Sequence, residues 1–435
     1  MLDTPGTQAS PIGAARTTPA IDSASPPAGS SGLGIAVASM LLIAVTYGMA
    51  RFGVGLFAPR LAAERPELIE VLGWAAAAQF IAYSVAAVIA GRLADRRPRT
   101  VLVLAGATAT LGSLGVAVAS EPVFFIASVV IAGMGGGFAS PALVPVIDAM
   151  VAVRARSTAQ SMVNTGTGVG VIGAGLIAFL APSVGTAWVV MASLAGAAAA
   201  SVLLPLRGRA ELSPRRRGHA ASSTTTKSWS AGSGAGVSLT PSLEVRAHAW
   251  RKMLLPGGAA VVVGSGSALL WTFGPLLVTD SGVVAANQVG WLWIVLGAGG
   301  LLGTLTGALV NRVGEPVGWS ITAVVLAAAN AVLAWALLGE HPALAYASMA
   351  IFGAGYMALT GVLILWARRL WPDHAGAGTS VLFIAVATGQ AAGAAGFGML
   401  QGSWSPTAMA VLAASLCLAG GAMATIGGWN SRARS

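Results

Sequence analysis

Long apolar runs alternate with short polar breaks along almost the whole chain. A bilayer core about 30 Å thick needs roughly 20 apolar residues per helix, so each run predicts one membrane-spanning helix. A polar stretch at 206–251 separates six runs from six more. The pattern predicts an all-α membrane protein with twelve transmembrane helices in two six-helix bundles, the runs lying near residues 33–58, 71–90, 100–119, 122–147, 158–181, 186–205, 253–279, 289–310, 319–338, 343–366, 376–399 and 406–428.

The segments outside these runs have a different composition. Residues 1–32 are rich in Pro, Ser, Thr, Ala and Gly and lack a basic segment followed by an apolar one, which predicts a disordered tail rather than a cleaved signal. The central stretch contains SPRRRGHAASSTTTKSWSAGSGAG, which cannot bury a core. We therefore divide the chain into a tail (1–32), a first half (33–205), a basic linker (206–251), a second half (252–429) and a tail (430–435).

The distribution of positive charge predicts the orientation. Only 9% of residues are charged and 56% are hydrophobic, so the lipid bilayer is the expected partner and the net charge of +10 does not indicate nucleic acid. All Lys and Arg residues except Arg51, Arg60 and Arg65 fall on one side of the predicted topology. Because positive loops stay in the cytoplasm, both termini are predicted to be cytoplasmic, in a cell (inner or plasma) membrane.

The two halves repeat each other. A spacing of 216 residues separates Pro59 from Pro275, and the same spacing separates Gly91 from Gly307. The match continues from Asp95 and Arg96 to Asn311 and Arg312, and it places Ser267 opposite Arg51. Two halves of parallel topology joined by a cytoplasmic linker are typical of one transporter architecture.

The segment GRLADRRPRT at 91–100 resembles the loop between helices 2 and 3 of the major facilitator superfamily. Gly91, Leu93, Asp95, Arg96 and Arg99 match that motif, whereas a proline at position 98 stands where glycine is usual. The resemblance covers about residues 33–428. It implies a secondary transporter of the permease type that works by alternating access.

The resemblance also implies that this loop is a gating latch that stabilises the outward-facing state. Asp95 would interact with the start of the eleventh helix near 375–379, and Arg99 would pair with our inferred partner, Asp148. In the second half Gly307, Asn311 and Arg312 would form a weaker latch, because Asn311 replaces the acid. The alternative is that these charges serve only topology.

Arg51 is the one charged residue deep in a predicted span, where charge is costly and usually functional. Tyr47 lies four residues earlier and so on the same helix face. Since the first helix lines the central cavity in the family, Arg51 is predicted to anchor an anionic substrate group, such as a carboxylate. Alternatively, Arg51 extends outward to the interface or pairs with Glu64 or Asp280.

Five further side chains at membrane depth are candidate substrate contacts. They could donate or accept hydrogen bonds or form an aromatic wall, although each alone is more often an interhelical contact. They are Gln79, Tyr83, Asn164, Trp271 and Gln390.

Acidic residues are missing from the centres of the predicted spans, since all 14 fall in loops, tails or span ends. The spans also lack clustered nucleophiles or metal ligands, so no catalytic residue, metal or cofactor is expected and the chain is not predicted to be an enzyme. We expect a monomeric transporter of a small solute, with an organic anion as the leading candidate. The alternatives are a proton-coupled multidrug antiporter, which the missing acid disfavours, and a transport-dead membrane sensor.

Overall fold

The computed structural model describes residues 30–94, 96–207, 243–371 and 375–432. These residues are almost entirely helical. In chain order the α-helices are α1 Ser30–Ile43, α2 Gly53–Glu64, α3 Leu72–Leu93, α4 Pro98–Val118, α5 Pro122–Met150, α6 Arg156–Leu180, α7 Val184–Leu203, α8 Leu243–Thr272, α9 Gly274–Asp280, α10 Val289–Gly300, α11 Thr306–Val313, α12 Glu315–Gly339, α13 Pro342–Leu370, α14 Ala375–Leu400 and α15 Pro406–Arg432.

The helices confirm the predicted fold class. Within the described ranges, 11 helices are long and apolar enough to cross a membrane, or 12 if one bent pair counts as a single span. That pair joins Ala286–Gly303 to Thr306–Val313 at an angle of 46°. Most of the predicted tails and linker lies outside the described residues. Where the structure does describe them, α8 begins inside the predicted linker at Leu243, and α15 runs on to Arg432.

The first predicted span is not one continuous helix. After α1, residues Ala44–Met49 form a π-helix, and a turn follows before α2 begins at Gly53. The seventh span is divided in the same way, because α8 ends at Thr272 and α9 begins at Gly274. In both spans the residue before the second segment is a phenylalanine with similar torsions, Phe52 at φ −103° and Phe273 at φ −115°.

This shared break changes the alignment of the two halves in the first and seventh spans. With Phe52 opposite Phe273, Arg51 corresponds to Thr272 rather than to Ser267, so the expected pairing with Ser267 is wrong here. Contacts with the neighbouring spans support this alignment. The glycine positions 166 and 170 approach the carbonyls of Met40 and Ala44, and positions 389 and 393 approach those of Val261 and Ser265. The spacing of 216 residues therefore does not extend across the whole repeat.

Glycine allows the first and fifth spans to pack backbone against backbone. A Cβ at Gly170 would lie 2.0 Å from the Ala44 carbonyl oxygen, and one at Gly393, in the equivalent place of the second half, would lie 2.2 Å from that of Ser265. No side chain fits at either position without moving a backbone. Lipid supplies little hydrophobic drive between helices, so such close approach is a principal source of association.

The two ends of the bundle carry opposite charge. The basic face, as we call it, has exposed arginines at the ends of the spans, including Arg96, Arg154, Arg312 and Arg368. The acidic face, at the other end, has exposed Glu67, Glu70, Glu121 and Glu340. Two arginines near the acidic face bind backbone: Arg60 donates to the Ala181 carbonyl, and Arg65 donates to three carbonyls at the end of α4.

The halves meet closely toward the acidic face. A Cβ at Gly55 would lie 2.0 Å from the Trp271 carbonyl oxygen, and one at Gly73 would lie 2.7 Å from that of Ala394. Gly175 and Gly290 approach each other equally closely between α6 and α10. Toward the basic face, a Cβ at Gly91 or Gly307 would meet open space.

The interface between α6 and α10 shows where the two halves begin to separate. A Cβ at Gly297 would lie 2.8 Å from the Gly168 carbonyl oxygen. One turn closer to the basic face, Asn164 on α6 is exposed, and Leu301 and Leu305 beyond α10 are 43% and 63% exposed. The two halves are therefore closed at the acidic face and part toward the basic face.

Candidate substrate-binding site

Arg51 lies in the turn that interrupts the first span, between the π-helix and α2. Only 3% of the residue is exposed. π-Helical turns occur frequently at functional sites, and here the turn carries a charge into the interior. An arginine at this depth costs about 2.5–3.5 kcal/mol on the lower of the published scales, so its surroundings must stabilise it or a ligand must.

A chain of hydrogen bonds joins Arg51 to the second half. Its Nη2 donates to Oε1 of Gln390 on α14 at 3.3 Å, and Nε2 of Gln390 donates to the hydroxyl oxygen of Tyr356 on α13 at 3.0 Å. Gln390 and Tyr356 are fully or almost fully buried. Arg51 therefore bridges the two halves.

Aromatic rings of the first half surround the guanidinium group. Its carbon lies 3.8 Å from the ring centre of Tyr83 and 4.6 Å from that of Tyr47, with Phe52 and Phe80 at 5.1 and 5.2 Å. Each well-desolvated cation–π contact contributes roughly 2 kcal/mol or more. The rings stabilise the positive charge through their faces.

A second group of aromatic side chains comes from the other half. Trp271 stacks on Phe52 with ring centres 3.7 Å apart, and this pair spans the interface between the halves. Tyr356 and Phe352 meet Trp271 edge to face at 5.2 and 5.3 Å, and Trp293 does so at 6.1 Å. Arg51 thus faces an aromatic enclosure built from both halves.

Four nitrogen donors in this enclosure have no hydrogen-bond partner among the described residues. They are Nε and Nη1 of Arg51 and the indole Nε1 atoms of Trp271 and Trp293. No acidic side chain of the described ranges forms an ion pair with Arg51. A buried donor left without an acceptor costs about 1–3 kcal/mol, and more if it is charged. The arrangement is suited to an anion that supplies the missing acceptors.

Four of the other predicted contact residues lie around Arg51. Tyr47, Tyr83, Trp271 and Gln390 all belong to the cluster just described. Asn164 does not, because it is exposed on α6 closer to the basic face. Gln79 is nearby but serves the backbone: its Nε2 donates to the carbonyls of Ala50 and Val129 at 3.3 and 3.2 Å. It thereby satisfies a carbonyl in the helix break.

Arg51 neither extends to the membrane interface nor pairs with Glu64 or Asp280. Its side chain is buried rather than extended to an interface. Both carboxylate oxygens of Glu64 accept from the single backbone N–H of Val184 at the start of α7. Asp280 ends α9 near the acidic face, where partial burial raises the pKa of its carboxyl group. Neither acid pairs with Arg51.

Sequence reasoning missed four members of the enclosure, which are Phe52, Phe80, Phe352 and Tyr356. One signal was present. The chain has only 4 tyrosines, and three of them, Tyr47, Tyr83 and Tyr356, lie away from the span ends and meet around Arg51. The phenylalanines carry no such signal, because apolar rings are common throughout a membrane protein.

The expected latch residues lie at the basic face. Asp95 and the loop before α14 are outside the described residues, so their expected contact stays a prediction. The inferred Arg99–Asp148 pair is not formed: Asp148 lies 3.9 Å from Arg156, and Arg99 donates to the Leu206 carbonyl.

In the second half, Asn311 and Arg312 are exposed at the end of α11. Next to them, the start of α12 is tied to the end of α13 by an ion pair between Glu315 and Arg369. An acid–base pair between neighbouring helices therefore exists at the basic face in both halves, but in neither half is it the pair that the sequence predicted.

Comparison with known proteins settles the family. The sequence profile described as Major Facilitator Superfamily matches residues 40–396. The chain belongs to this superfamily. Its members are transporters rather than enzymes, and the chain is a multi-pass membrane protein of that class. No curated protein sequence matches the chain.

Solved structures of the superfamily share the fold at low sequence identity. The nucleoside transporter NupG is 14% identical with a TM-score of 0.67, covering 91% of this chain and 99% of its own. A partially occluded inward-open structure of the xylose transporter XylE from E. coli is 14% identical with a TM-score of 0.66, covering 90% and 97%. An inward-facing bacterial homologue of the human lysosomal transporter Spinster is 15% identical with a TM-score of 0.64, covering 92% and 96%.

Proposed function

We propose that this superfamily member transports a small organic anion by alternating access, with Arg51 as the anchor of the anionic group. The observation that carries the proposal is the burial of Arg51 without an acidic partner while two of its nitrogens lack acceptors. A carboxylate could accept from one of them and, in place of Gln390, from the adjacent Nη2. Arg51 also lies at the interface of the halves, so a ligand there would feel their relative movement.

The alternation would take place about this site. In the present state the halves are closed at the acidic face and part toward the basic face. Because positively charged ends remain in the cytoplasm, the basic face would be cytoplasmic and the state inward-facing. Substrate would be released or taken up on the cytoplasmic side. Closure of the basic face and opening of the acidic face would then expose Arg51 to the opposite side of the membrane.

The absence of a buried acid within the described ranges favours this proposal over multidrug–proton antiport. Arg51 is the one charged residue among the buried side chains there. A proton-coupled pump normally needs an ionisable acid at membrane depth as its relay. A proton could still accompany the substrate on its own carboxyl group.

Uptake of a panel of labelled organic acids into proteoliposomes tests the proposal. Replacing Arg51 with glutamine removes the charge at similar length, and we expect the transported acid to lose roughly 100-fold in uptake efficiency, as for a truncated buried charge pair. Arg154→Gln, on the exposed basic face, is the matched control and should transport normally. Unchanged uptake by Arg51→Gln, in a correctly folded protein, would contradict the anchor.

A further inference from the structure

We propose that the substrate is an aromatic monocarboxylate, held through its carboxylate on Arg51 and through its ring between the aromatic side chains of the two halves. This inference rests on the proposed anion transport and specifies its ligand class. It draws on three features of the enclosure: the single charge, the stacked ring pair across the interface and the indole donors without acceptors.

The single positive charge selects a monoanion. Among the described residues Arg51 is the one buried charged side chain, and its Nε and Nη1 are both free to donate. One carboxylate can accept from two adjacent guanidinium nitrogens at once, which here are Nη2 and either Nε or Nη1, with the ligand taking the place of Gln390 on Nη2. A second carboxylate would be buried without a counter-charge, which is strongly unfavourable in a low-dielectric interior.

The ring pair across the interface selects a flat ligand body. Phe52 of the first half stacks on Trp271 of the second with centres 3.7 Å apart and planes inclined by 14°. If the halves part, the Phe52 ring and the Trp271 ring each lose their stacking partner. A ligand ring inserted between them would restore stacking on each side, whereas a puckered or branched aliphatic body would not. The rings of Tyr47 and Tyr356 border the same place edge to face.

The indole groups favour a ligand that carries a further oxygen atom on its ring. The Nε1 atoms of Trp271 and Trp293 are buried without an acceptor, and the two rings are 6.1 Å apart. A hydroxyl or carbonyl oxygen on the ligand ring could accept from an indole nitrogen. We therefore expect hydroxy-substituted benzoates to bind more tightly than benzoate itself.

Calorimetric binding to the full-length protein in lipid nanodiscs tests this class with five probes. They are 4-hydroxybenzoate, benzoate, cyclohexanecarboxylate, terephthalate and 4-hydroxybenzamide. We expect 4-hydroxybenzoate to bind most tightly, benzoate next, and the other three at least roughly tenfold more weakly than benzoate, because each lacks the flat ring, the single charge or the charge altogether.

Two variants report on the indole contact. Trp293→Phe keeps an aromatic ring but removes one donor, so the preference for 4-hydroxybenzoate over benzoate should fall while benzoate binding stays. Trp335→Phe is the control, since Trp335 is 62% exposed on α12 and takes no part in the ring contacts described for the enclosure. Equal ligand preferences in both variants would overturn the indole contact.

The outcomes separate this inference from the proposed function. If cyclohexanecarboxylate or terephthalate binds as tightly as benzoate, and Arg51→Gln abolishes that binding, the aromatic monocarboxylate class is overturned and anion transport stands. If the neutral benzamide binds as tightly as the acids, both fail. If no probe binds while Arg51-dependent uptake of another organic acid is observed, the ligand class alone is overturned.

Discussion

Gln390 occupies the place at Arg51 that an anion would take. Its Oε1 accepts from Nη2 of Arg51 at 3.3 Å, so the amide acts as a neutral stand-in for a carboxylate and ties the halves together. Substrate binding would compete with this hydrogen bond. At the scale of one residue, ligand exchange on a single guanidinium group would therefore couple binding of the proposed anion to the interface.

Replacing Gln390 with glutamate tests this competition. The new carboxylate would form an internal ion pair with Arg51, so we expect a higher Tm and at least roughly tenfold weaker anion binding. Thermal unfolding and calorimetry on the same preparation measure both.

Gln79→Glu is the matched control, because its side chain faces two carbonyl oxygens rather than a cation. That variant should lose stability, since a buried carboxylate would oppose two acceptors. A lower Tm for Gln390→Glu, or unchanged anion binding in it, would contradict the competition.

At the scale of the element, glycines allow close packing of two kinds. Gly170 packs inside the first half against Ala44, whereas Gly55 packs across the interface against Trp271. In each case an added Cβ would lie 2.0 Å from a carbonyl oxygen. The local clash is the same, but the two positions differ in what can move to relieve it.

We expect Gly55→Ala and Gly170→Ala to have different effects. The halves can part to accommodate a methyl group at position 55, so that variant should fold with a normal Tm but fail to close the acidic face, and transport should fall. A methyl group at position 170 must be absorbed within a packed half, which should lower the Tm, as overpacking typically costs about 1–3 kcal/mol. Thermal unfolding and uptake assays distinguish the two, and equal loss of stability would contradict the distinction.

At the scale of the whole molecule, the two halves are close at one end and separate at the other. The opening faces the arginine-rich end of the spans, and Asn164 is exposed on that side of the site. Cys417 is the only cysteine of the chain and is fully buried against Gly266, which makes it simple to replace without creating new reactive positions.

Labelling of a cysteine at position 164 tests the direction of the opening. In a Cys417→Ala background, Asn164→Cys should react with a membrane-impermeant maleimide several-fold faster in inside-out than in right-side-out vesicles. The Cys417→Ala protein without the second substitution supplies the background. Faster reaction in right-side-out vesicles would contradict a cytoplasmic basic face.

Much of the fold was predictable because it depends on hydropathy and on charge at the span ends. Apolar length identified the spans, and Arg51 stood out since charge is rare at that depth. The helix break at Ala44–Phe52 was not predictable: an interrupted helix and a straight one have the same hydropathy, and the break depends on Gln79 satisfying the freed Ala50 carbonyl from another helix.

The sequence by itself determined the helical membrane architecture, the repeat and the candidate charge, because the bilayer imposes these features on each segment separately. Only the tertiary structure decided which side chains meet at Arg51. Tyr356 and Gln390 lie more than 300 residues from it along the chain, and their contact depends on how two helical bundles pack. The aromatic enclosure and its free donors exist only because the two halves close around them.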